Sequence, residues 1–268
     1  MRPAMTSAAV DVYHEETGPP DAPALILSNS LGTTTAMWAP QLPAMAERFR
    51  TILYDHRGHG RSAVPPGPYD ISDLGLDLIA LMDRLDIERG HVCGVSLGGM
   101  VGMWVAATAP ERVDRLVVCS TAARLGPPEA WEERAATVRM RGTEAVADYV
   151  AGRSFTPAFA ARHPEVLAQV RDMIASTPAQ GYAACCEVIA RLNLEPVLDA
   201  IRARTLVIVG ARDPVVSTED AGLIAERVSR GRVEVVQDGA HLVSIEQADT
   251  VTRSILEHLE HARSEEEP

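Results

Sequence analysis

Near the middle of the chain stands the run His91-Val92-Cys93-Gly94-Val95-Ser96-Leu97-Gly98-Gly99-Met100. A short apolar strand leads into a Gly-Val-Ser-Leu-Gly turn, and residues 101–107 continue as a helix. Such a turn strains the serine backbone, and the flanking glycines let strand and helix pass without a Cβ clash. Ser96 Oγ is predicted to project beside the free N–H groups of a helix N-terminus. An incidental serine in a glycine-rich turn would also fit this pattern. The rest of the chain must therefore distinguish a catalytic serine from an incidental one.

The composition is that of an ordinary globular protein with a sizeable core, since 46% of the 268 residues are hydrophobic and 23% are charged. A formal net charge of −12 argues against nucleic-acid binding, because neutralising phosphates requires a basic face. No apolar run approaches the length of a membrane-spanning helix, and the N-terminus lacks the apolar core of a signal peptide. The cysteine spacing suits neither disulfides nor a metal site, which predicts a reducing, cytoplasmic location. The cysteines are Cys93, Cys119, Cys185 and Cys186.

Short apolar runs alternate with helical patterns, which predicts an α/β protein with a mostly parallel sheet covered by helices on both faces. An edge strand is predicted at Val10–His14. The inner strands are predicted at Ala24–Leu27, Arg50–Asp55, His91–Val95, Val113–Cys119, Thr205–Val209 and Val233–Val236. Helices are predicted near Met37–Phe49, Ile71–Leu85 and Ser244–His261, besides the helix that follows Ser96.

Between residues 122 and 196 the strand-like runs stop, and helical stretches rich in Ala, Arg and Glu take over. This change predicts a helical lid, residues 122–196, inserted over the carboxyl edge of the sheet. Residues 1–121 and 197–263 then form the core domain. The acidic tail, residues 264–268, is predicted to be disordered.

A serine at its free pKa is a poor nucleophile, so it requires a base, and the base requires an orienting acid. With a G-x-S-x-G turn the order along the chain is serine, acid, histidine, each on a loop after a strand. Asp213 directly follows the strand that ends at Val209, and His241 follows the last strand. Both are therefore predicted to meet Ser96 at one sheet edge. Asp238 is an alternative acid, but it shares a short loop with His241 and cannot easily reach Nδ1.

Two backbone N–H groups are predicted to bind an oxyanion. One belongs to Leu97, after the serine, and the other to Leu31, on the polar loop after the first inner strand. No metal or cofactor is required. A metal site at His56 and His59 is disfavoured, since one acid and two histidines need further donors, and loop hydrogen bonding is the preferred interpretation. The remaining candidates are predicted to be surface histidines: His163, His258 and His261.

With these residues in place, the chain resembles the α/β-hydrolase superfamily from about Leu25 to Glu246, and within it the 3-oxoadipate enol-lactonases of the β-ketoadipate pathway of aromatic degradation. The narrower resemblance rests on SNSLGTT (28–34), YDHRGHGRS (54–62), GGMVG (98–102), Trp131-x-x-Arg134 and Gly181-Tyr182-x-x-Cys185-Cys186. The lid motifs matter most for substrate, since the loops are widely shared across the superfamily. One departure is Ser154, where the resemblance leads us to expect a tryptophan before Phe155.

The resemblance implies that the substrate is a small anionic enol-lactone, opened through an acyl-enzyme. Trp131 and Arg134 share one face of the first predicted lid helix with the apolar residues Ala135 and Val138. Because a lid helix turns one face to the site, Trp131 is predicted to cover the lactone ring and Arg134 to pair with its carboxylate. The alternative is that Arg134 is a solvated arginine.

Two other functions remain open from the sequence. Another carboxylic ester hydrolase or a perhydrolase would use the same three residues on a different acyl group. A hydrolase fold without activity could act as a ligand receptor, although the presence of Ser96, Asp213 and His241 argues against it. A dehalogenase is disfavoured because its nucleophile is an aspartate.

Overall fold

One seven-stranded sheet organises residues 9–260, the part of the chain that the computed structural model describes. The strands are β1 (His14–Thr17), β2 (Ala24–Ser28), β3 (Arg50–Tyr54), β4 (Gly90–Val95), β5 (Val113–Cys119), β6 (Arg204–Gly210) and β7 (Gly231–Val236). They follow the spatial order β1-β3-β2-β4-β5-β6-β7, with β1 antiparallel to β3 and the other pairs parallel. The carboxyl ends of β2 to β7 therefore share one edge of the sheet.

Helices connect and cover these strands. The α-helices of the described range are α1 (Leu42–Ala46), α2 (Ile71–Arg84), α3 (Leu97–Thr108), α4 (Pro128–Arg141), α5 (Glu144–Gly152), α6 (Pro157–Arg162), α7 (Pro164–Ser176), α8 (Ala179–Arg191), α9 (Thr218–Arg227), α10 (Val243–Glu246) and α11 (Ala248–Glu260). The chain crosses the sheet in one direction from β2 to β3 and in the other from β3 to β7. Since parallel crossovers are right-handed, this reversal places helices on both faces.

The predicted lid interval lies between β5 and β6. It contains the five helices α4 to α8 and no strand, and every residue from 122 to 196 is described. Helix α4 packs against α8, and α5 packs against α7. These helices stand at the carboxyl edge of the sheet, because the chain enters them from the end of β5.

The inner strands were predicted within one or two residues, but the N-terminal elements were placed less well. The edge strand begins at His14 rather than Val10, because only residues 14–17 pair with β3. The helix predicted near Met37–Phe49 is instead a 3-10 turn at Thr35–Trp38 followed by the short helix α1. Pro40 and Pro43 explain the interruption, since proline lacks the N–H group that a continuous helix requires.

The C-terminal helix also differs from its prediction. It begins at Val243 and is interrupted at Gln247, whose φ of −121° and ψ of 47° lie outside the helical region. The prediction of a surface His258 was wrong: this side chain is buried under the sheet edge opposite Ser96, and its Nε2 lies 3.1 Å from the Arg204 carbonyl oxygen. Residues 261–268, including His261 and the predicted acidic tail, lie outside the described residues.

All four cysteines are free and buried. Within residues 9–260, no helix combines the length and the apolar character needed to cross a bilayer.

Candidate active site

Ser96 occupies the sharp turn between β4 and α3. Its φ of 53° and ψ of −114° lie in a region that residues with a side chain rarely adopt. The neighbouring glycines are required by space: a Cβ on Gly94 would lie 2.3 Å from the Gly98 backbone, and one on Gly98 would lie 2.1 Å from the Ser28 carbonyl oxygen. The Ser96 N–H donates to the Cys119 carbonyl at 2.9 Å, which pins the turn to β5. The strained turn thus holds the Ser96 hydroxyl at the carboxyl edge.

Three side chains from three distant loops meet at this edge. His241 Nε2 lies 3.2 Å from Ser96 Oγ, and His241 Nδ1 lies 3.0 Å from Asp213 Oδ2 and 3.2 Å from Oδ1. With Asp213 ionised, Nδ1 carries the proton and donates to it, which leaves Nε2 free to accept the Ser96 proton. The arrangement can therefore activate a serine hydroxyl.

The Asp213 carboxylate is fully buried beside His241. Burial alone would raise its pKa, but the charge of His241 and hydrogen bonds from His241 and the loop amides hold the pKa below its usual value. The amide donors are Val215 and Val216, at 2.8 and 3.1 Å from Oδ1. Asp213 is thus ionised in the range where a histidine can act as a base.

Asp238, the alternative acid, points away from the histidine. Its side chain is 77% exposed and lies 3.4 Å from the Arg212 guanidinium. The contacts of His241 Nδ1 therefore place Asp213, and not Asp238, in the orienting position.

Both amides predicted to bind an oxyanion lie near Ser96. The Leu97 N–H is at the first position of α3, where the helix offers no backbone acceptor. Leu31 follows β2 on a loop that borders the same cavity as Ser96. Neither N–H donates a hydrogen bond to another group of residues 9–260, so both remain available to a ligand.

The two loop histidines support the Leu31 loop. His59 Nε2 accepts from the Gly32 N–H at 2.9 Å, and its Nδ1 lies 3.2 Å from the Arg57 carbonyl. His56 Nε2 lies 3.0 Å from the Asn29 carbonyl. Burial lowers the pKa of His56 to about 3 and that of His59 to about 4. No group of three metal-ligating side chains occurs in the described range, and hydrogen bonding accounts for both rings.

Stability is expected to fall as the pH drops from about 6.5 towards 5. Burial lowers the pKa of His258 to about 4, as it does those of His56 and His59. Because the unfolded state binds these protons near pH 6.5 and the folded state does not, the stabilisation is complete above that pH. Below about pH 6.5, each histidine lowers the free energy of unfolding by on the order of 1 kcal/mol per pH unit. Urea unfolding between pH 7.5 and 5 measures the slope.

His59→Gln is expected to reduce this slope by the contribution of about one proton. A free energy of unfolding that stays constant from pH 7 to 5 would contradict the assignment.

Ser96 and His241 open into a cavity with an empty volume of about 520 Å³, counting the space at its mouth. Side chains of the predicted lid interval form most of its wall: Trp131, Arg134, Tyr149, Val150, Arg153, Ser154, Val170, Ile174 and Tyr182. The remaining wall comes from the loops after the strands. The lining is mainly apolar, so a small organic substrate would lose most of its water there.

Trp131 and Arg134, predicted from the sequence, both line this cavity. Trp131 is 9% exposed, and the Arg134 guanidinium carbon stacks 4.4 Å from its ring centroid. Arg134 is half-buried, and no carboxylate of residues 9–260 forms an ion pair with it. A stacked guanidinium without a carboxylate partner is suited to an anionic ligand.

Sequence reasoning missed a second arginine on this wall. Arg153 also lines the cavity, and it flanks Tyr149 with its guanidinium 5.3 Å from the ring, while Arg134 lies 5.9 Å from that ring. The i, i+4 spacing of Tyr149 and Arg153 at the end of a lid helix was the available signal. Ser154, the departure from the enol-lactonase pattern, lies directly beside them in the wall.

A family model of the α/β hydrolase fold matches residues 23–248. This chain belongs to the α/β-hydrolase family. The match spans the strand that precedes Leu31, the Ser96 turn, and the loops of Asp213 and His241. The fold of the family therefore explains why these four residues lie at the same edge of the sheet.

Individual relatives of this α/β hydrolase agree with the narrower resemblance. It is 39% identical to 3-oxoadipate enol-lactonase 2 of Acinetobacter baylyi, with 94% of each chain covered. Its structure superposes on the enol-lactonase of Burkholderia xenovorans LB400 with a TM-score of 0.90 and 40% identity, covering 94% of this chain and 98% of that one. A thermophilic esterase of Thermogutta terrifontis, determined with malate bound, is 31% identical with a TM-score of 0.87 and 93% coverage of both chains.

Proposed function

We propose that this α/β hydrolase opens the ring of 3-oxoadipate enol-lactone to give 3-oxoadipate, with Ser96 as nucleophile, His241 as general base and Asp213 as its orienting acid. The observation that carries the proposal is the alignment of these three side chains, of which Ser96 and His241 line a cavity that also holds Arg134 without a carboxylate partner among residues 9–260. Enol-lactonases among its relatives support the choice of substrate.

The first half-reaction forms an acyl-enzyme. Ser96 Oγ attacks the lactone carbonyl carbon while His241 Nε2 takes the hydroxyl proton. The carbonyl oxygen becomes an oxyanion and accepts hydrogen bonds from the Leu31 and Leu97 amides. Collapse breaks the ring C–O bond, and the leaving oxygen departs as an enolate, which is more stable than an alkoxide. The proton that His241 took from Ser96 passes to the enolate, and its addition on carbon gives the ketone and leaves His241 neutral again.

The second half-reaction releases the product. The ketone stays tethered to the acyl chain, so nothing leaves the cavity after the ring has opened. His241 then removes a proton from water, the water oxygen attacks the ester carbonyl, and the Ser96 oxygen recovers the proton as the ester bond breaks. Ketone formation disfavours closure of the ring, which drives the reaction towards the keto acid. The chemistry calls for no cofactor.

The lid is proposed to select the substrate. Residues 122–196 provide Trp131, which would cover the ring, and Arg134, which would form a charge-assisted hydrogen bond with the substrate carboxylate. Since the surrounding wall is mainly apolar, this pair would be weakly screened by water. The same lid would exclude larger esters that lack an anionic group.

Arg134→Met is expected to lower kcat/KM for the enol-lactone. The loss of transition-state stabilisation should be about 1.5–3 kcal/mol, the contribution of a hydrogen bond to a charged group. Turnover of a neutral aryl ester should barely change, because that substrate has no carboxylate to lose. The measurement compares kcat/KM for both substrates, following loss of the enol-lactone absorbance and release of p-nitrophenol.

Arg153→Met provides the matched control, since Arg153 lines the same wall and its guanidinium already donates to the Pro214 carbonyl. A selective loss in Arg153→Met with none in Arg134→Met would transfer the carboxylate contact to Arg153. An equal loss on both substrates in Arg134→Met would mean that Arg134 supports the lid and does not bind the carboxylate.

A second candidate is a carboxylic ester hydrolase acting on another acyl group. The observation that favours it is Ser154 in the cavity wall, where the enol-lactonase resemblance predicts a tryptophan, together with the esterase among the relatives. A panel containing the enol-lactone, other small lactones and simple esters distinguishes the two. A kcat/KM for a simple ester far above that for the enol-lactone would replace the first proposal with this one.

We also propose that the protein acts in the cytoplasm, within the β-ketoadipate pathway of aromatic degradation. Its four free, buried cysteines support a reducing compartment. The net charge of −12 argues against a nucleic-acid partner.

A further inference from the structure

The two backbone amides that flank His241 both donate hydrogen bonds. One acceptor belongs to the lid, and the other is a side chain that binds the lid. The Leu242 N–H donates to the carbonyl oxygen of Ser154 at 2.9 Å. On the other side, the Ala240 N–H donates to Glu246 Oε2 at 2.8 Å. The position of the His241 loop therefore depends on these two acceptors.

Glu246 links the His241 loop to the lid a second time. Glu246 is the last residue of α10 and is only 7% exposed. No cation of residues 9–260 forms an ion pair with it. Its Oε1 accepts from the Thr156 N–H at 3.0 Å and also from the Thr156 hydroxyl, while Oε2 accepts from Ala240. Three donors converge on one buried carboxylate, and only an acceptor on both oxygens satisfies them.

The same lid segment also reaches the loop of the orienting acid. The Arg153 guanidinium donates to the Pro214 carbonyl at 2.5 Å, one residue after Asp213. Lid residues 153–156 thus contact both loops that carry the partners of Ser96. Arg153 and Ser154 also line the cavity, so the segment that contacts both loops lies beside the position of a substrate.

We propose that Glu246 is a positioning residue that binds Thr156 of the lid and Ala240 of the base loop, and thereby holds His241 in line with Ser96. The proposal rests on the roles of Ser96 and His241 in the proposed function, and not on the identity of the lactone. Small displacements matter here, because a shift of about 1 Å in a reacting group can cost on the order of 100-fold in rate.

Two substitutions separate positioning from mere packing. Glu246→Gln keeps the shape but turns one acceptor into an NH₂ donor, which would face either the Ala240 N–H or the donors of Thr156. Thr156→Val keeps the shape of the threonine but removes the hydroxyl, which donates to Glu246 and also accepts from the Phe159 N–H at the start of α6, whereas Thr156→Ser restores both hydrogen bonds. Glu226→Gln, at an exposed glutamate of α9, removes a charge without touching either loop.

The experiment uses p-nitrophenyl acetate, whose turnover needs Ser96 and His241 but no carboxylate contact. Sites are counted by labelling to completion with a fluorophosphonate, and kcat is expressed per labelled site. Glu246→Gln is expected to lower kcat by about 10- to 100-fold with KM within about twofold, and Thr156→Val by about 3- to 10-fold. Thr156→Ser and Glu226→Gln should stay within about twofold of wild type.

A purely structural role would lower the melting temperature or the number of labelled sites and leave kcat per site unchanged. That result in Glu246→Gln overturns the proposal. If Glu246→Gln does not fold, wild-type kcat in Thr156→Val overturns it instead, and a loss that Thr156→Ser restores supports it. A wild-type protein that hydrolyses the aryl ester but not the enol-lactone would refute the proposed substrate and leave this test intact.

Discussion

Ser96→Ala is expected to lower kcat by at least about three decades while the protein remains folded. The serine hydroxyl oxygen is the atom that would form the acyl bond. Because Ser96, His241 and Asp213 would act as one unit, removing the nucleophile should abolish nearly all of the rate. The fold should survive, because alanine has the same Cβ in the strained turn at φ 53°. The one hydrogen bond that the Ser96 hydroxyl makes within residues 9–260 is with His241.

His241→Ala is expected to cost a similar factor, and the double variant little more, since nucleophile and base act as one unit. Ser120→Ala is the matched control: Ser120 is also a buried serine with a positive φ after a strand, and its hydroxyl has no hydrogen-bond partner within residues 9–260. Steady-state kinetics with a neutral aryl ester and the enol-lactone, alongside circular dichroism, provide the measurement. Turnover near the wild-type rate by folded Ser96→Ala would refute the assignment of the nucleophile.

Asp213→Asn is expected to lower kcat by up to about 10⁴-fold with little change in the fold. The asparagine oxygen can still accept from the Val215 and Val216 amides, so the loop keeps its hydrogen bonds. Its NH₂ group, turned towards His241 Nδ1, then requires an acceptor there. The imidazole proton moves to Nε2, where it blocks transfer of the proton from Ser96.

Asp238→Asn tests the alternative acid on the same loop as His241. We expect activity near wild type, because the Asp238 side chain lies in solvent beside Arg212. The measurement is kcat for both variants and the wild type under the same conditions. An inactive Asp238→Asn beside a fully active Asp213→Asn would reverse the assignment.

The sequence was most informative where structure depends on neighbours in the chain. The run Val113–Cys119 was predicted as a strand with the bounds that it has, since its apolar side chains fit a strand buried on both faces. The prediction near Met37–Phe49 was wrong for an equally local reason: Pro40 and Pro43 interrupt the helix that the periodic apolar residues indicate. The required signal was present in the sequence.

Other features could not be predicted, because they depend on segments that are distant along the chain. His258 looked like a surface residue of a terminal helix, and its burial follows from the packing of α11 beneath Arg204. Glu246 stands among polar residues near a helix end, and nothing in its neighbourhood indicates that Thr156, 90 residues away, donates to it. Side chains of these types are usually exposed, so the sequence pattern favoured solvent.

By itself, the sequence determined the α/β class, the strand–turn–helix around Ser96 and the order of serine, acid and histidine, because spacing along the chain expresses each of them. Only the tertiary structure decided that His241 faces Asp213 rather than Asp238, and that Arg134 lines the cavity without a carboxylate partner among residues 9–260. The physical reason is range: backbone preferences act over a few residues, whereas hydrogen bonds and burial depend on which distant segments pack together.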